Sequence, residues 1–436
     1  MGGARGKALV TGGAGFIGSY IVEELLRHGY GVRIFDSLEP QVHGVLRERA
    51  QHGDGPRAMS AGRQATRVTP PLPEYLAHVQ DDLEFVVGDV RDREAVVQAL
   101  DGVDYLFHQA ALVGVPQSMY DIRRYTDVNA LGGATVVDAV VNTPAVRARL
   151  QQMVVASSMS IYGEGAYRCA VHGAVAPKLR PVEQLQRGEW AMRCPVGAEG
   201  GSGKEAQRSC GRTVEAIPTS EDKPLQPLSI YAIGKRDHEE MFLAVGRAYQ
   251  LPAVALRYWQ VYGQRQALSN PYTGVAAIFC SRILASHPPP VYEDGHQLRD
   301  FVHATDIARA NVQALEHSEA DYQAINLGTG SPVSILDVAW TLLRQMEAVQ
   351  DGLAPAVLGT YRPGDIRDCV PDITRARQLL GFSPQVTFQQ GAAGLVEWVM
   401  SQQGKVEDRF ELAQRELRDH GLGTPVGPAP VGPAER

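Results

Sequence analysis

The 436-residue chain has no apolar run approaching the ~18 residues of a membrane-spanning helix, which argues against a bilayer span. Basic residues are also in short supply. The 42 Lys and Arg stand against 49 Asp and Glu, giving a net charge of -7 with no long basic run, so nucleic acid is not expected as a partner. Cysteine is scarce: five residues, an odd number unevenly spread, do not suggest a secreted disulfide scaffold in so long a chain. Ahead of the strand-like Lys7-Ala8-Leu9-Val10 there is no room for the charged, apolar and cleavage regions of a signal peptide. The expectation is therefore a cytoplasmic protein. Its 44% hydrophobic and 21% charged residues are ordinary for a soluble globular chain. The length exceeds one typical domain, and no internal repeat divides it.

What is present begins with a strand, a glycine turn, a helix and a second strand over residues 7–36. Gly12, Gly15 and Gly18 let the backbone turn tightly and approach a pyrophosphate at a helix N-terminus, where unpaired N–H groups and the helix dipole favour an anion. Asp36 closes the second strand at the spacing from which an acid binds the adenosine ribose hydroxyls and repels a 2′-phosphate, so NAD is expected over NADP. Residues 38–82 read as a surface excursion. Two further strands end in Gly88-Asp89-Val90 and His108-Gln109-Ala110-Ala111, at the sheet edge where such folds bind ligands. Residues 118–141 are helical in pattern, with Asn129 inside.

A later strand ends in Ala156-Ser157-Ser158-Met159-Ser160, where a hydroxyl could bond a substrate oxygen, although a serine cluster is also ordinary turn chemistry. Tyr231 and Lys235 sit four apart and share one face if Ser229–Lys235 opens a helix. By itself this is an amphipathic face as readily as a catalytic pair. A fixed cation beside a phenol favours the phenolate and makes tyrosine a usable base.

The glycine triplet with Asp36, the Ala-Ser-Ser-x-x-Ile-Tyr-Gly strand end and Tyr231-x-x-x-Lys235 resemble the extended short-chain dehydrogenase/reductase family, in its nucleotide-sugar epimerase and dehydratase branch. Arg257-Tyr258-Trp259-Gln260, Asn270-Pro271-Tyr272, Arg299-Asp300-Phe301 and Arg362-Pro363-Gly364-Asp365 agree with it. The resemblance implies an α/β fold: a Rossmann-type doubly wound parallel sheet with a smaller C-terminal mixed α/β substrate domain. The expected boundaries are an NAD-binding domain over 1–258, with insertions at about 38–82 and 164–224, a mainly substrate-binding part over 259–403, and a helical extension with a disordered tail over 404–436. It makes Ser158 the catalytic hydroxyl, Tyr231 the base and Lys235 the ribose ligand that tunes it. The implied NAD contacts are Gly12, Gly15, Phe16, Ile17, Gly18, Asp36, Asp89, Val90, Ala110, Ala111, Asn129, Tyr231, Lys235 and Tyr258. The implied substrate contacts are Gln260, Asn270, Arg299, Arg362 and Asp365.

The expected activity is C4 epimerisation of a nucleotide-diphosphate sugar through a transient 4-keto sugar, in a homodimer. The alternatives are a dehydratase, decarboxylase or reductase of the same family, or an NAD-sensing protein without catalysis. Two positions depart from the family pattern: Gln260 where many epimerases have Asn, and Ser160 where dehydratases and decarboxylases carry Glu. Residues 164–224 are expected to form a lid over the sugar. Within them, Cys169, His172, Cys194 and Cys210 are candidate zinc ligands, but Gly197 replaces the last cysteine of a Cys-x-x-Cys, and a loop without metal is expected.

Overall fold

The computed structural model describes residues 5–44, 72–196 and 210–423. Seven strands form the main sheet: β1 (Lys7–Thr11), β2 (Gly31–Asp36), β3 (Leu83–Val87), β4 (Tyr105–His108), β5 (Gln152–Ser158), β6 (Ala253–Tyr258) and β7 (Ala324–Leu327). They lie in the order β3-β2-β1-β4-β5-β6-β7, and every neighbouring pair is parallel. Parallel strands need crossovers that place helices on the sheet faces, and runs such as Met153-Val154-Val155 are accordingly fully buried. Helices α1 (Phe16–Arg27) and α4 (Ala304–Glu316) cover one face, through Ile21, Leu25 and Ile307. Helices α2 (Gly132–Asn142) and α3 (Ile230–Tyr249) cover the other, through Val136, Val140 and Phe242. The strand order reverses between β1 and β4, which opens a crevice at their carboxyl ends.

A second core is built around Phe279, Leu342 and Leu395, from helices Val275–Leu284, Ile335–Gln345 and Phe388–Ser401. Ser334 caps the helix Ile335–Gln345, its Oγ accepting from the Asp337 N–H at 3.0 Å. Residues 259–403 serve both parts, because α4 and β7 return to the main sheet.

The helix expected over 118–141 is broken up. A turn at Val115–Ser118 precedes Ile122–Tyr125, and a widened π-turn at Thr126–Leu131 leads into α2. The widening coincides with Asn129, whose carbonyl is taken by His238 Nε2 at 2.6 Å from α3.

Residues 164–224 carry a three-stranded antiparallel sheet of Ala166–Cys169, Gly173–Val175 and Glu215–Ile217 over a small core of Tyr167, Met192 and Val214. Beyond helix Phe410–Asp419, the tail from residue 424 lies outside the described residues, as does 45–71 of the early excursion. No described helix is long and apolar enough to cross a membrane.

Candidate active site

A cavity of about 700 Å³ runs along the carboxyl ends of β1 to β6 and continues to the loops carrying Arg299 and Arg362. Its first half is shaped by the glycine turn. Gly12 has φ +69°, and a Cβ there would meet the Ala110 backbone nitrogen at 2.8 Å. At Gly18 a Cβ would come within 2.1 Å of the Gly12 carbonyl oxygen, so this glycine permits close packing of α1 on the turn. Gly15 faces the cavity, and no side chain caps the N-terminus of α1, nor does its first turn carry an acid. A dinucleotide pyrophosphate fits this arrangement of bare backbone and helix end.

At the end of β2, Asp36 is buried and lines the cavity. Its carboxylate accepts from Leu38 N–H at 2.8 Å and Ala14 N–H at 3.1 Å, which ties the glycine turn to the β2 end. Phe16, Ile17, Asp89, Val90, Ala110, Ala111 and Tyr258 all line the cavity. Asp89 is held in a fork by Arg91, at 3.0 and 2.7 Å. Tyr258 is anchored through its hydroxyl to Gln109 and Asn311, at 3.1 and 3.0 Å. Asn129 is the exception. It does not line the cavity, and its amide is spent on both backbone groups of Leu112, at 2.8 and 3.0 Å, so it fixes the loop after Ala110 and Ala111.

The centre of the cavity brings Ser158, Tyr231 and Lys235 together from β5 and the first turns of α3. Ser229 caps α3 by accepting from Ala232 N–H at 3.1 Å, and Ser118 Oγ accepts the Tyr231 N–H at 3.1 Å, so the start of the helix is held from two sides. Ser158 Oγ accepts from the Ser160 N–H at 3.2 Å and the Ser160 hydroxyl at 2.9 Å. Ser158 stands near the Tyr231 phenol and favours its phenolate form.

Burial nevertheless raises the Tyr231 pKa above the ordinary 10.0. The expected tuning of Tyr231 by Lys235 is not found in this arrangement. Lys235 is buried without a carboxylate and donates to the Ala156 carbonyl at 2.9 Å, and desolvation pushes its own pKa down to about 7. Ser158, not Lys235, is the group here that lowers the phenol.

In the far half, Gln260, Arg299, Arg362 and Asp365 line the cavity. Arg362 lies over the Tyr292 ring at 4.6 Å and donates to Asp365 at 2.9 Å. Arg299 faces the cavity, but it donates to the carbonyls of Leu298, Arg367 and Ile366 at 2.7–2.8 Å, so much of its guanidinium braces the loop. Asn270 does not line the cavity. Its Oδ1 accepts from Tyr272 N–H and Gln41, both at 3.0 Å, which makes it a turn-former beneath Tyr272.

The family described as NAD dependent epimerase/dehydratase matches residues 8–181 and 209–328. The chain belongs to this family. A dTDP-L-rhamnose 4-epimerase of Burkholderia thailandensis is 30% identical over 396 residues, covering 90% of this chain and 94% of that protein. Among solved structures, a UDP-N-acetylglucosamine 4-epimerase of Methanobrevibacter ruminantium in complex with UDP-N-acetylmuramic acid is 26% identical. It superposes with a TM-score of 0.65 over 92% of this chain and 99% of its own. A Thermus thermophilus UDP-glucose 4-epimerase in complex with NAD is 27% identical, with a TM-score of 0.61 over 90% and 99%. NAD is the cofactor of this epimerase/dehydratase-family chain.

Sequence reasoning named Gln260 in this epimerase/dehydratase site but missed Gln266 and Gln297. Gln260, Gln266 and Gln297 all line the cavity, and each has a buried amide oxygen with no partner. Gln266 and Gln297 belong to no motif of their own, although Gln297 lies two residues before Arg299 and shares its loop. Ser160 marked a departure from the family pattern, and it proves to be the group that orients Ser158.

The insertion was expected to be a lid. None of the described residues from 164 to 224 lines the cavity. The lobe is drawn instead against the loop behind Arg362: Glu164 accepts from Arg367 N–H at 2.8 Å, and Arg180 forks onto Glu293 at 2.8 Å. It also holds its four candidate metal ligands together. The ligating atoms of Cys169, His172, Cys194 and Cys210 all lie within 4.8 Å of one another.

Proposed function

We propose that the protein epimerises a nucleotide-diphosphate sugar at C4. The observation that carries this reading is the convergence of Ser158 and Tyr231 in one cavity with no carboxylate beside them. Among the described residues, the acids lining the cavity are Asp36, Glu39 and Asp89 in the cofactor half and Asp365 beside Arg362. Dehydration and decarboxylation need additional acid–base groups at the reacting sugar, and Ser160 occupies the position where the family's glutamate would stand.

Bound NAD supplies the acceptor for hydride from the sugar carbon and the donor that returns it. Tyr231 removes the proton from the sugar hydroxyl and later gives it back, and Ser158 passes it through the hydrogen bond that Ser160 orients. Lys235 holds the nicotinamide ribose. Arg362 and the free donor capacity of Arg299 bind the diphosphate. Gln260, Gln266 and Gln297 line the cavity around the remainder of the substrate.

We read the chain as binding NAD mainly through residues 1–258 and the sugar nucleotide mainly through 259–403, with 404–436 as an appendage. It works as a homodimer. Val115, Met119, Ile122, Leu131 and Ile233 are large apolar side chains left exposed on the segments before α2 and on α3, where a second copy would cover them. The cytoplasm is the compartment we infer, because all five cysteines are unpaired thiols and a reducing compartment keeps them so.

The test is incubation with a panel of UDP-, dTDP- and GDP-sugars. An isomer of unchanged mass supports epimerisation. A product lighter by water or by carbon dioxide would replace that reading with dehydration or decarboxylation.

A further inference from the structure

We propose that Cys169, His172, Cys194 and Cys210 bind a structural zinc ion that holds the insertion together. The geometry is that of a metal site. A tetrahedral zinc with bonds of ~2.3 Å to sulfur and ~2.0 Å to nitrogen sets its ligand atoms ~3.8 Å apart for two sulfurs and ~3.5 Å apart for sulfur and nitrogen. Cys169 Sγ lies 3.8 Å from Cys210 Sγ and 3.7 Å from His172 Nδ1, and Cys194 Sγ lies 3.4 Å from the same nitrogen. These distances match the edges of one ligand tetrahedron. They leave all three thiols unbridged.

The backbone brings the four ligands together by pairing two arms. Cys169 and His172 flank the tight turn between Ala166–Cys169 and Gly173–Val175. Cys194 and Cys210 sit on facing antiparallel segments: Cys194 N–H donates to Arg212 carbonyl at 2.9 Å, and Cys210 N–H donates to Val196 carbonyl at 3.0 Å. Cys210 thereby takes the place left by Gly197. The Val171 N–H donates to Cys169 Sγ at 3.5 Å, the kind of outer contact that stabilises a ligating thiolate.

Energetics point the same way. The lobe's apolar core is Tyr167, Cys169, Met192, Cys194 and Val214, small for the described part of the insertion to be ordered by burial alone. Two of the five are ligands themselves. Three thiolates and one imidazole form a soft donor set that suits zinc and leaves no open coordination position, and none of the four lines the reaction cavity. The metal is therefore structural. The expectation of a metal-free loop gives way because Cys210, separated from the Cys-x-x-His by 37 residues of sequence, folds back onto it.

The full-length protein, made without an affinity tag that binds metal and purified without chelator, should carry close to one zinc per chain by elemental analysis. Cobalt-substituted protein should show the intense near-ultraviolet absorption of thiolate-to-cobalt charge transfer. Cys194→Ser should lose the zinc, whereas Cys280→Ser, which removes a buried thiol outside the cluster, should keep it. If Cys194→Ser does not fold, titrating wild-type protein with a mercurial should release zinc in step with thiol modification. Zinc below about a tenth of an equivalent in reduced protein, or a Cys169–Cys210 disulfide found by mass spectrometry, would overturn the proposal.

Discussion

Arg180 of the insertion and Glu293 of the substrate half form a bidentate ion pair, two hydrogen bonds of 2.8 Å between side chains that are 1% and 2% exposed. Glu293 also receives Arg367 at 2.8 Å, and its neighbour Tyr292 underlies Arg362. The pair therefore connects the insertion to the loop proposed to bind the diphosphate. Removing one partner of a buried pair costs up to about 3–5 kcal/mol when the other charge is left uncompensated, an upper bound here because Glu293 keeps Arg367. Arg180→Met should lose stability within that bound by chemical denaturation and raise KM for the sugar nucleotide more than it lowers kcat. An unchanged KM would detach the insertion from substrate binding.

Tyr231→Phe should keep NAD bound and lower kcat by about 10²- to 10⁴-fold, since only the proton acceptor is lost. Ser160→Ala should act more mildly, by roughly fivefold, because it removes one hydrogen bond that orients Ser158. Near-normal turnover by Tyr231→Phe would remove the phenol from the mechanism.

Lys235 gives a pH signature. Its folded pKa is about 7 against 10.5 for the ordinary side chain, so between those values the unfolded chain binds a proton that the folded chain does not. Stability of NAD-free protein should rise with pH across that window, with the penalty fully present below pH 7. Lys235→Met should therefore be more stable than wild type at pH 6, by on the order of a few kcal/mol, and lose the advantage as pH climbs towards 10. Parallel melting curves at all pH values would contradict a desolvated ammonium.

Asp36→Ala should shift preference from NAD towards NADP by roughly tenfold, through loss of the ribose acceptor and of the charge facing a 2′-phosphate. It also frees the N–H groups of Ala14 and Leu38, so the melting temperature should fall. Unchanged cofactor discrimination in titrations with both dinucleotides would misplace the ribose.

The exposed apolar side chains on α3 and before α2 predict a dimer by light scattering at micromolar concentration. Ile122→Glu combined with Leu131→Glu should yield monomer, because both side chains are half exposed on the face a second copy would cover. A monomeric wild type would defeat the assignment.

The parallel sheet, the glycine turn, Asp36 at its strand end and Tyr231 four residues before Lys235 were all legible in the sequence. They depend on local constraints: φ at Gly12, the spacing of a βαβ unit, and the pitch of one helix. What only the tertiary structure decided lies where distant segments meet. Asn129 and Asn270 read as ligand contacts, but the Asn129 amide is taken by the Leu112 backbone, and Asn270 Oδ1 by Tyr272 N–H and the Gln41 side chain. The tuning of Tyr231 depends on Ser158 and Ser160 arriving from another element, and on how deeply Lys235 is buried. No period in the chain announces that Arg180 meets Glu293, or that Cys210 returns to Cys169. Those encounters are set by the packing of the insertion against the substrate loops, a property of three-dimensional burial and charge pairing that local sequence does not encode.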